Sequence, residues 1–290
     1  MILEALFCQV DDFCISFMPQ WESTLIEEGI CQKTWQCRMT PSEIMTIVLL
    51  FHQHPYRNFK HFYLGYVKRF MCSDFPELLS YNRFIEQQKR VIPPLLCFMH
   101  SLPKTKAGIY FVDSTPIKAC HIKREKQHRV FAGFAAKSRS TLGWFFGFKL
   151  HIVVNCVGDI MAFKLTKATV DDRKTVPELT DGLSGKLLGD KGYISKTLKA
   201  RLLEKGLDLI TQFRKNMKQV ALDEFDKALL KKRGIIETII DQLKNISQIE
   251  HTRHRSIDNF SLNLIAGLTA YALKPKKPAL DIECSGVAFP

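Results

Sequence analysis

The chain has 290 residues, 46% of them apolar and 24% charged, the balance of a folded protein with ample core and not of a disordered tail, coiled coil or collagen-like repeat. Its densest apolar run, Ile44 to Phe51, is far short of the ~18–20 residues of a membrane span, so no membrane partner is expected. Lys and Arg exceed Asp and Glu by 13, which points to a polyanionic partner.

The charge is unevenly placed. Residues 1–105 carry 10 basic and 10 acidic side chains, whereas residues 106–290 carry 32 and 19. Nine cysteines without a C-x-x-C pair read as reduced thiols of a cytoplasmic protein. The acidic start (Glu4, Asp11, Asp12) does not resemble a secretory leader. Cys31, Cys37, His52 and His54 fit no zinc-finger spacing.

The first hundred residues read as helical. Thr40-Pro41-Ser42-Glu43 is a capping box with proline at the first helical position. Ile44, Ile47, Val48 and Phe51 follow at helix spacing, with Leu49 and Leu50 closing the apolar ring, so this helix should be buried. A second helix is expected from about Tyr81 to Val91, stopped by Pro93-Pro94. Its polar side, with Asn82, Arg83, Gln87, Gln88, Lys89 and Arg90, suits either recognition of DNA or plain exposure to solvent.

After a linker at 101–107 the pattern changes. Strands are expected at 108–113, 144–155, 160–166, 186–190 and 207–211, with helices near 195–205, 221–232, 234–247 and 258–273. The mixture argues for an α/β sheet. Residues 274–290 read as a loose tail. Between the first two strands, a basic loop from Lys118 to Arg139 holds Lys123, Arg124, Arg129, Lys137 and Arg139. Phe131, Phe134 and Trp144 are interleaved with it, which suits a nucleic-acid surface with stacking rings or a set of core aromatics.

Three acids stand out. Asp113 and Asp190 each end an apolar run, and glycines flank the Asp190–Lys191 pair. On the helix near 234–247, Arg233, Glu237, Asp241 and Lys244 share one face. Two strand-end acids and one helix acid make an oxygen-rich donor set suited to Mg²⁺.

These residues carry a resemblance. Asp113-Ser114-Thr115, Gly189-Asp190-Lys191-Gly192-Tyr193, the spaced Arg233, Glu237 and Lys244, and the segment from His251 to Ser256 through Asn259-Phe260 to Tyr271 resemble the DDE transposases of bacterial insertion sequences. The resemblance spans about residues 106–273. It implies a ribonuclease-H-like mixed sheet with flanking helices (106–273), preceded by an all-helical domain (1–105) that binds element ends. It implies Asp113, Asp190 and Glu237 as catalytic and metal-binding residues, with two Mg²⁺ ions for which Mn²⁺ may substitute. DNA-binding roles are expected for Arg233, Lys244, Lys191, Arg83, Lys89 and Arg90 and for the loop cations. The expected partner is double-stranded DNA, both element ends and target, bound by a homodimer in the bacterial nucleoid without a nucleotide cofactor. A nuclease without strand transfer and an inactive DNA-binding remnant are the alternatives. Leu230 stands where this group carries a tyrosine three residues before Arg233.

Overall fold

A computed structural model describes residues 2–141, 143–212, 222–250 and 254–280. Its helices are α1 (Leu3–Glu27), α2 (Pro41–Phe51), α3 (Phe59–Phe62), α4 (Lys68–Phe70), α5 (Tyr81–Gln87), α6 (Ile92–Ser101), α7 (Val176–Leu179), α8 (Lys196–Leu203), α9 (Glu224–Lys231), α10 (Gly234–Asn245) and α11 (Ile257–Ala272). The strands are β1 (Ile109–Cys120), β2 (Ala136–Ser140), β3 (Gly143–Asn155), β4 (Ile160–Lys167), β5 (Gly185–Gly189) and β6 (Leu207–Thr211). The chain divides into two compact units: residues 1–102, 243–249 and 254–275 form the first, and the other described residues form the second.

The first unit is helical. The expected capping box starts α2: Glu43 N donates to Thr40 Oγ1 at 3.1 Å, and Thr40 N donates to the Glu43 carboxylate at 2.6 Å. Every residue of α2 from Ile44 onward is buried, as its all-round apolar character demands. Between α3 and α4, Tyr63–Val67 form a π-helical turn, and the Tyr63 hydroxyl inside it donates to Leu79 O at 2.8 Å.

Two expectations for this unit are corrected. Pro93 and Pro94 do not stop a helix; they lie in the first turn of α6, where a missing N–H costs nothing. Gln87 and Gln88 are buried, not displayed. The tight turn at Gln88–Val91 rotates both inward, and Gln88 Nε2 reaches Asn259 Oδ1 at 3.3 Å.

By sequence, α11 belongs with the sheet; in the structure it packs into the helical unit. Leu262, Ile265, Ala266, Ala270 and Leu273 join one core with Ile44, Leu50, Phe84, Leu95 and Phe98. The reason is composition: α11 is apolar on most of its circumference and must be enclosed by other helices. Residues 1–105 expressed alone would therefore expose the site where α11 sits, forgoing ~1.5–3 kcal/mol for each large apolar side chain left uncovered. Such a fragment should melt non-cooperatively by circular dichroism, and adding residues 254–275 as a peptide should sharpen the transition. A cooperative melt of 1–105 alone would show that α11 is dispensable.

The second unit is a six-stranded mixed sheet in the order β2-β3-β1-β5-β6, with β4 also paired to β3. β3 runs antiparallel to β1, β2 and β4, whereas β5 is parallel to β1 and to β6. Helices α7 and α8 cover one face, where Leu179, Leu198 and Leu202 pack on Tyr110, Val112, Leu187 and Leu209. β1 outruns its expected end at Asp113 by seven residues. Pro116 argues against a strand there, but among the described strands β1 pairs beyond Phe111 with β3 alone, so its proline lies on the single-neighbour part of the strand, where a missing N–H is tolerated. The basic loop is correspondingly shorter than expected, and its last part is β2.

The loose tail is corrected for its described part. Lys277 Nζ donates to Asp159 Oδ1 at 2.7 Å, and Leu280 N donates to Cys156 O at 2.8 Å, so the segment is strapped to the β3–β4 turn. Gly158 in that turn has φ +82°, and a Cβ there would fall 2.2 Å from Pro278 O, so only glycine admits the strap. Residues 281–290 lie outside the described residues.

Candidate active site

The sheet brings two carboxylates together by register. β1 and β5 pair at Phe111↔Leu188, and two residues further along each chain come Asp113 and Asp190. Parallel neighbours carry equivalent positions on the same face about 4.8 Å apart, so the two acids face the same side at the point where β5 ends. Asp190 begins the short turn Lys191–Tyr193, with its Oδ1 accepting from Gly192 N at 2.8 Å. Asp113 Oδ1 accepts from Ser114 N at 2.8 Å.

The third acid arrives on α10. Arg233, just before the helix, spans two carboxylates: Nη2 lies 2.7 Å from Glu237 Oε1 and Nη1 lies 3.5 Å from Asp113 Oδ2. Arg233 and Asp113 side chains are mostly buried, at 19% and 22% exposure, whereas Glu237 is 60% exposed. The guanidinium is thus enclosed against the sheet while Glu237 keeps a water-facing oxygen.

Electrostatics mark this place as short of positive charge. Burial pushes the Asp113 carboxyl up to about 6; the Ser114 N–H and Arg233 oppose this, while Asp190 and Glu237 add to it. Even with an arginine beside it, Asp113 holds a proton more readily than a free carboxylate. Among the described residues no three His, Cys, Asp or Glu side chains converge closely enough to hold a metal as they stand. Arg233 lies against both Asp113 and Glu237, at 3.5 Å and 2.7 Å. The donors themselves are hard oxygens from two strand positions and a facing helix, the set that Mg²⁺ and Mn²⁺ take, so the residues fit such an ion once Arg233 moves aside.

The expected DNA-binding residues fall into distinct places. Lys123 and Arg124 lie on the 3₁₀ turn Ile122–Gln127 and Arg129 follows it; all three are exposed. Lys137 pairs with Glu125 at 3.5 Å and lies 5.4 Å from the Trp144 ring centre. Arg139 stands opposite Trp144 in the β2–β3 register. Of the three aromatics in this region, Phe131 is core, while Phe134 and Trp144 are more than half exposed. Lys191 is exposed in the Asp190 turn. Lys244 is half-buried on the part of α10 that groups with the helical unit.

Arg83, Lys89 and Arg90 belong to the helical unit and have partners within it. Arg83 pairs with Glu86 at 2.8 Å, Lys89 with Asp258 at 3.6 Å, and Arg90 lies 4.3 Å over the Trp35 ring. Leu230 is buried. The His251–Arg253 part of the tail motif lies outside the described residues. Sequence reading missed Arg233 as a bridge to Asp113, because helix spacing shows only its link to Glu237. It also missed the pairing of Asp172 with Lys149 of β3, at 3.0 Å.

A sequence family described as Transposase DDE domain matches residues 104–257, the stretch that holds all three acids. No curated protein matches the chain. Among solved structures the chain is similar to the piggyBac transposase in a synaptic complex with hairpin DNA. That likeness is 10% identical with TM-score 0.51, covering 93% of this chain and 74% of that one, and it establishes a shared fold. The catalytic domain of Mos1 mariner transposase is also matched, at 12% identity and TM-score 0.23, over 66% of this chain and 91% of that one. The mixed sheet with flanking helices is the ribonuclease-H-like arrangement expected from the sequence.

Proposed function

The chain belongs to the transposase DDE domain family, and from that premise we propose that it cuts and joins DNA at the ends of a mobile element, with Asp113, Asp190 and Glu237 as the catalytic, metal-holding acids. The observation that carries this reading is the β1–β5 register, which sets Asp113 beside Asp190 while Arg233 ties Asp113 to Glu237. Two of these acids come from neighbouring inner strands and the third from α10, far apart in sequence.

Asp113, Asp190 and Glu237 would hold Mg²⁺ or Mn²⁺, two ions in the full site. Bound there, the metal supplies Lewis acidity for an attacking hydroxyl and a leaving oxygen. The chain's own residues do the rest. Asp113 gives up the proton it holds below pH 6 and becomes a full anionic donor. Arg233, released from the carboxylates, turns to a backbone phosphate, which its planar fork suits. In cleavage, water attacks phosphorus and the bond to the 3′-oxygen breaks, leaving a 3′-hydroxyl and a 5′-phosphate. In strand transfer, that 3′-hydroxyl attacks a phosphodiester of the target, and the target's own 3′-oxygen leaves.

The exposed cations Lys123, Arg124, Arg129, Lys137 and Arg139 on one loop and hairpin support binding to the phosphate backbone. Exposed Phe134 and Trp144 beside them support stacking on an unpaired base. Lys191, next to Asp190, and Lys244, on the Glu237 helix, are proposed to hold phosphates too. For the helical unit, recognition of element-end DNA is proposed, with Arg83, Lys89 and Arg90 exchanging their present partners for phosphates. Because an element has two ends, the working form is proposed to be a homodimer on DNA, with the nucleoid as its place. No helix among the described residues is long and apolar enough to cross a membrane.

The test is a strand-transfer assay. The purified protein, a pre-cleaved duplex carrying the DNA that flanks its coding region, and a plasmid target are incubated with Mg²⁺ or with EDTA. Joined products that appear only with metal are expected. Cleavage without joining would instead make the protein a nuclease on the same fold, and metal-independent products would overturn the carboxylate assignment.

A further inference from the structure

Helix α1 carries a charge opposite to that of the rest of the chain. Residues 1–32 hold six acidic side chains and no lysine or arginine, so all 42 Lys and Arg lie in the remainder, with 23 of the 29 Asp and Glu. The helix also outruns its own core. Leu6, Val10 and Cys14 are buried, but residues 15–27 include no buried side chain. Beside this half runs a groove of about 600 Å³, between α1 and the segment 34–42. Its α1 wall is one stripe, Asp11, Ile15, Met18, Glu22 and Ile26, with members three or four residues apart. Ile15 and Ile26 are 68% and 41% exposed.

Asp11 and Glu22 are the charged side chains of the lining. Each is fixed through one oxygen: Asp11 Oδ1 accepts from Ser42 Oγ at 2.6 Å, and Glu22 Oε1 accepts from Trp35 N at 3.1 Å. The other oxygen of each is left for an incoming cation. Pro19, in the same wall, has no N–H for Ile15 O, so that carbonyl lacks its α-helical donor. Nucleic acid is repelled by this charge. A second α1 would set carboxylates among carboxylates with no cation between them. What fits is a helix with cations towards its ends and an apolar side chain between.

The chain itself displays such a helix. α3, the π-helical turn and α4 follow one another without a break from Phe59 to Phe70, about 18 Å, against the ~22 Å from Asp11 to Ile26 along α1. Lys60, Leu64, Lys68, Arg69 and Phe70 are exposed on it, and it holds no acid. Lys60 and Arg69 stand roughly 14 Å apart along the axis, and Asp11 and Glu22 roughly 16 Å, a difference that long side chains cover. We propose that the α1 groove is a docking site for the Phe59–Phe70 helix of a second copy of this chain, with Leu64 seated on Ile15 and Met18 and the flanking cations meeting Asp11 and Glu22. A closed pair makes the contact twice, groove to helix and helix to groove. Arg83, Lys89 and Arg90, proposed above to bind DNA, take no part in it. The inference rests on the homodimer proposed above, whose contact surface it names, and it uses neither DNA nor metal.

The experiment is sedimentation equilibrium of the full chain without DNA, in EDTA, at low and high salt. The parent is expected to dimerise, more weakly as salt rises. Ile15→Glu, Glu22→Lys, Lys60→Glu and Arg69→Glu are each expected to weaken dimerisation about tenfold or more, since each puts an unpaired or like charge into the contact. Combining Glu22→Lys with one of the two helix reversals, the one at the end it meets, is expected to restore the parental dimer, because residues in contact do not act additively. A parent that stays monomeric overturns the proposal. So does a dimer that Ile15→Glu leaves intact, or a Glu22→Lys defect that neither helix reversal relieves. Should Glu22→Lys not fold, Ile15→Glu and Arg69→Glu decide, and parental dimerisation in either overturns the contact. A protein that is monomeric alone yet dimeric on element-end DNA loses this contact and keeps the homodimer. One that is monomeric on DNA as well loses both.

Discussion

Asp113→Asn is expected to melt several degrees above the parent at pH 7.5 without metal, while cleavage falls by about 10³-fold or more. The two effects share one cause. An acid whose folded pKa lies above its unfolded value binds protons more tightly when folded. Its favourable contribution is complete below the ordinary value of 3.8 and is lost as pH rises through about 6. At pH 7.5 the folded parent therefore carries a buried, unwelcome charge. A displacement of about two units corresponds to a ceiling of about 3 kcal/mol, and each kcal/mol moves Tm by roughly 2–4 °C in a domain of 150–250 residues. Asparagine keeps the shape and removes the charge. On the proposed reading a metal held there would lose an anionic donor, and with it several kcal/mol of transition-state stabilisation.

Calorimetric melts at pH 5 and 7.5 in EDTA check the first effect. The parent should lose stability between the two, and the variant should lose less. Equal pH dependence in parent and variant would mean that Asp113 is not the strained group. Glu237→Gln gives the contrast. Its carboxylate faces water, so melting should barely change while cleavage falls as far. If Glu237→Gln still cleaves, Asp241, one turn further along the same helix, becomes the candidate third acid. Asp190→Asn should also lose cleavage while retaining an oxygen for Gly192 N.

Local chemistry explains what could be read ahead of the structure. The Asp190 turn was legible because two glycines and an acid at the end of an apolar run form a short-range signal. The capping box of α2 was legible for the same reason, since four consecutive residues contain it. What escaped depends on distant partners. The extension of β1 past Asp113 contains Pro116, and what makes it a strand is its pairing with β3, a partner distant in sequence. The grouping of α11 with the first unit depends on which core has room for an apolar helix, a matter of volume and not of local pattern. Gln87 and Gln88 read as surface because their burial relies on a change of helix type and on Asn259.

Arg233 carries the largest expected change in the response to metal. Helix spacing alone makes it a support for Glu237, worth a few tenths of a kcal/mol. Its second partner changes that reading, because Asp113 lies on another element and is mostly buried. On the proposed reading the guanidinium lies where a metal held by Asp113 and Glu237 would sit, and it would have to leave for the metal to bind. Removing it should therefore strengthen metal binding. In Arg233→Ala at pH 8, where Asp113 is ionised, Mn²⁺ affinity should rise about tenfold, equivalent to ~1.4 kcal/mol. Lower pH would blur the result, since Arg233 holds the Asp113 pKa down and its removal lets a proton compete with the metal. DNA binding should move the other way. In the parent, the salt dependence of duplex binding should steepen by about one counterion when Mn²⁺ is added, because Arg233 is freed to meet a phosphate. Arg233→Ala should show no such steepening. Lys244→Ala should lower the slope by about one with or without metal, since Lys244 is no part of the exchange. Should the parent's salt slope be the same in Mn²⁺ and in EDTA, Arg233 does not change partners, and its role reduces to holding α10 against the sheet.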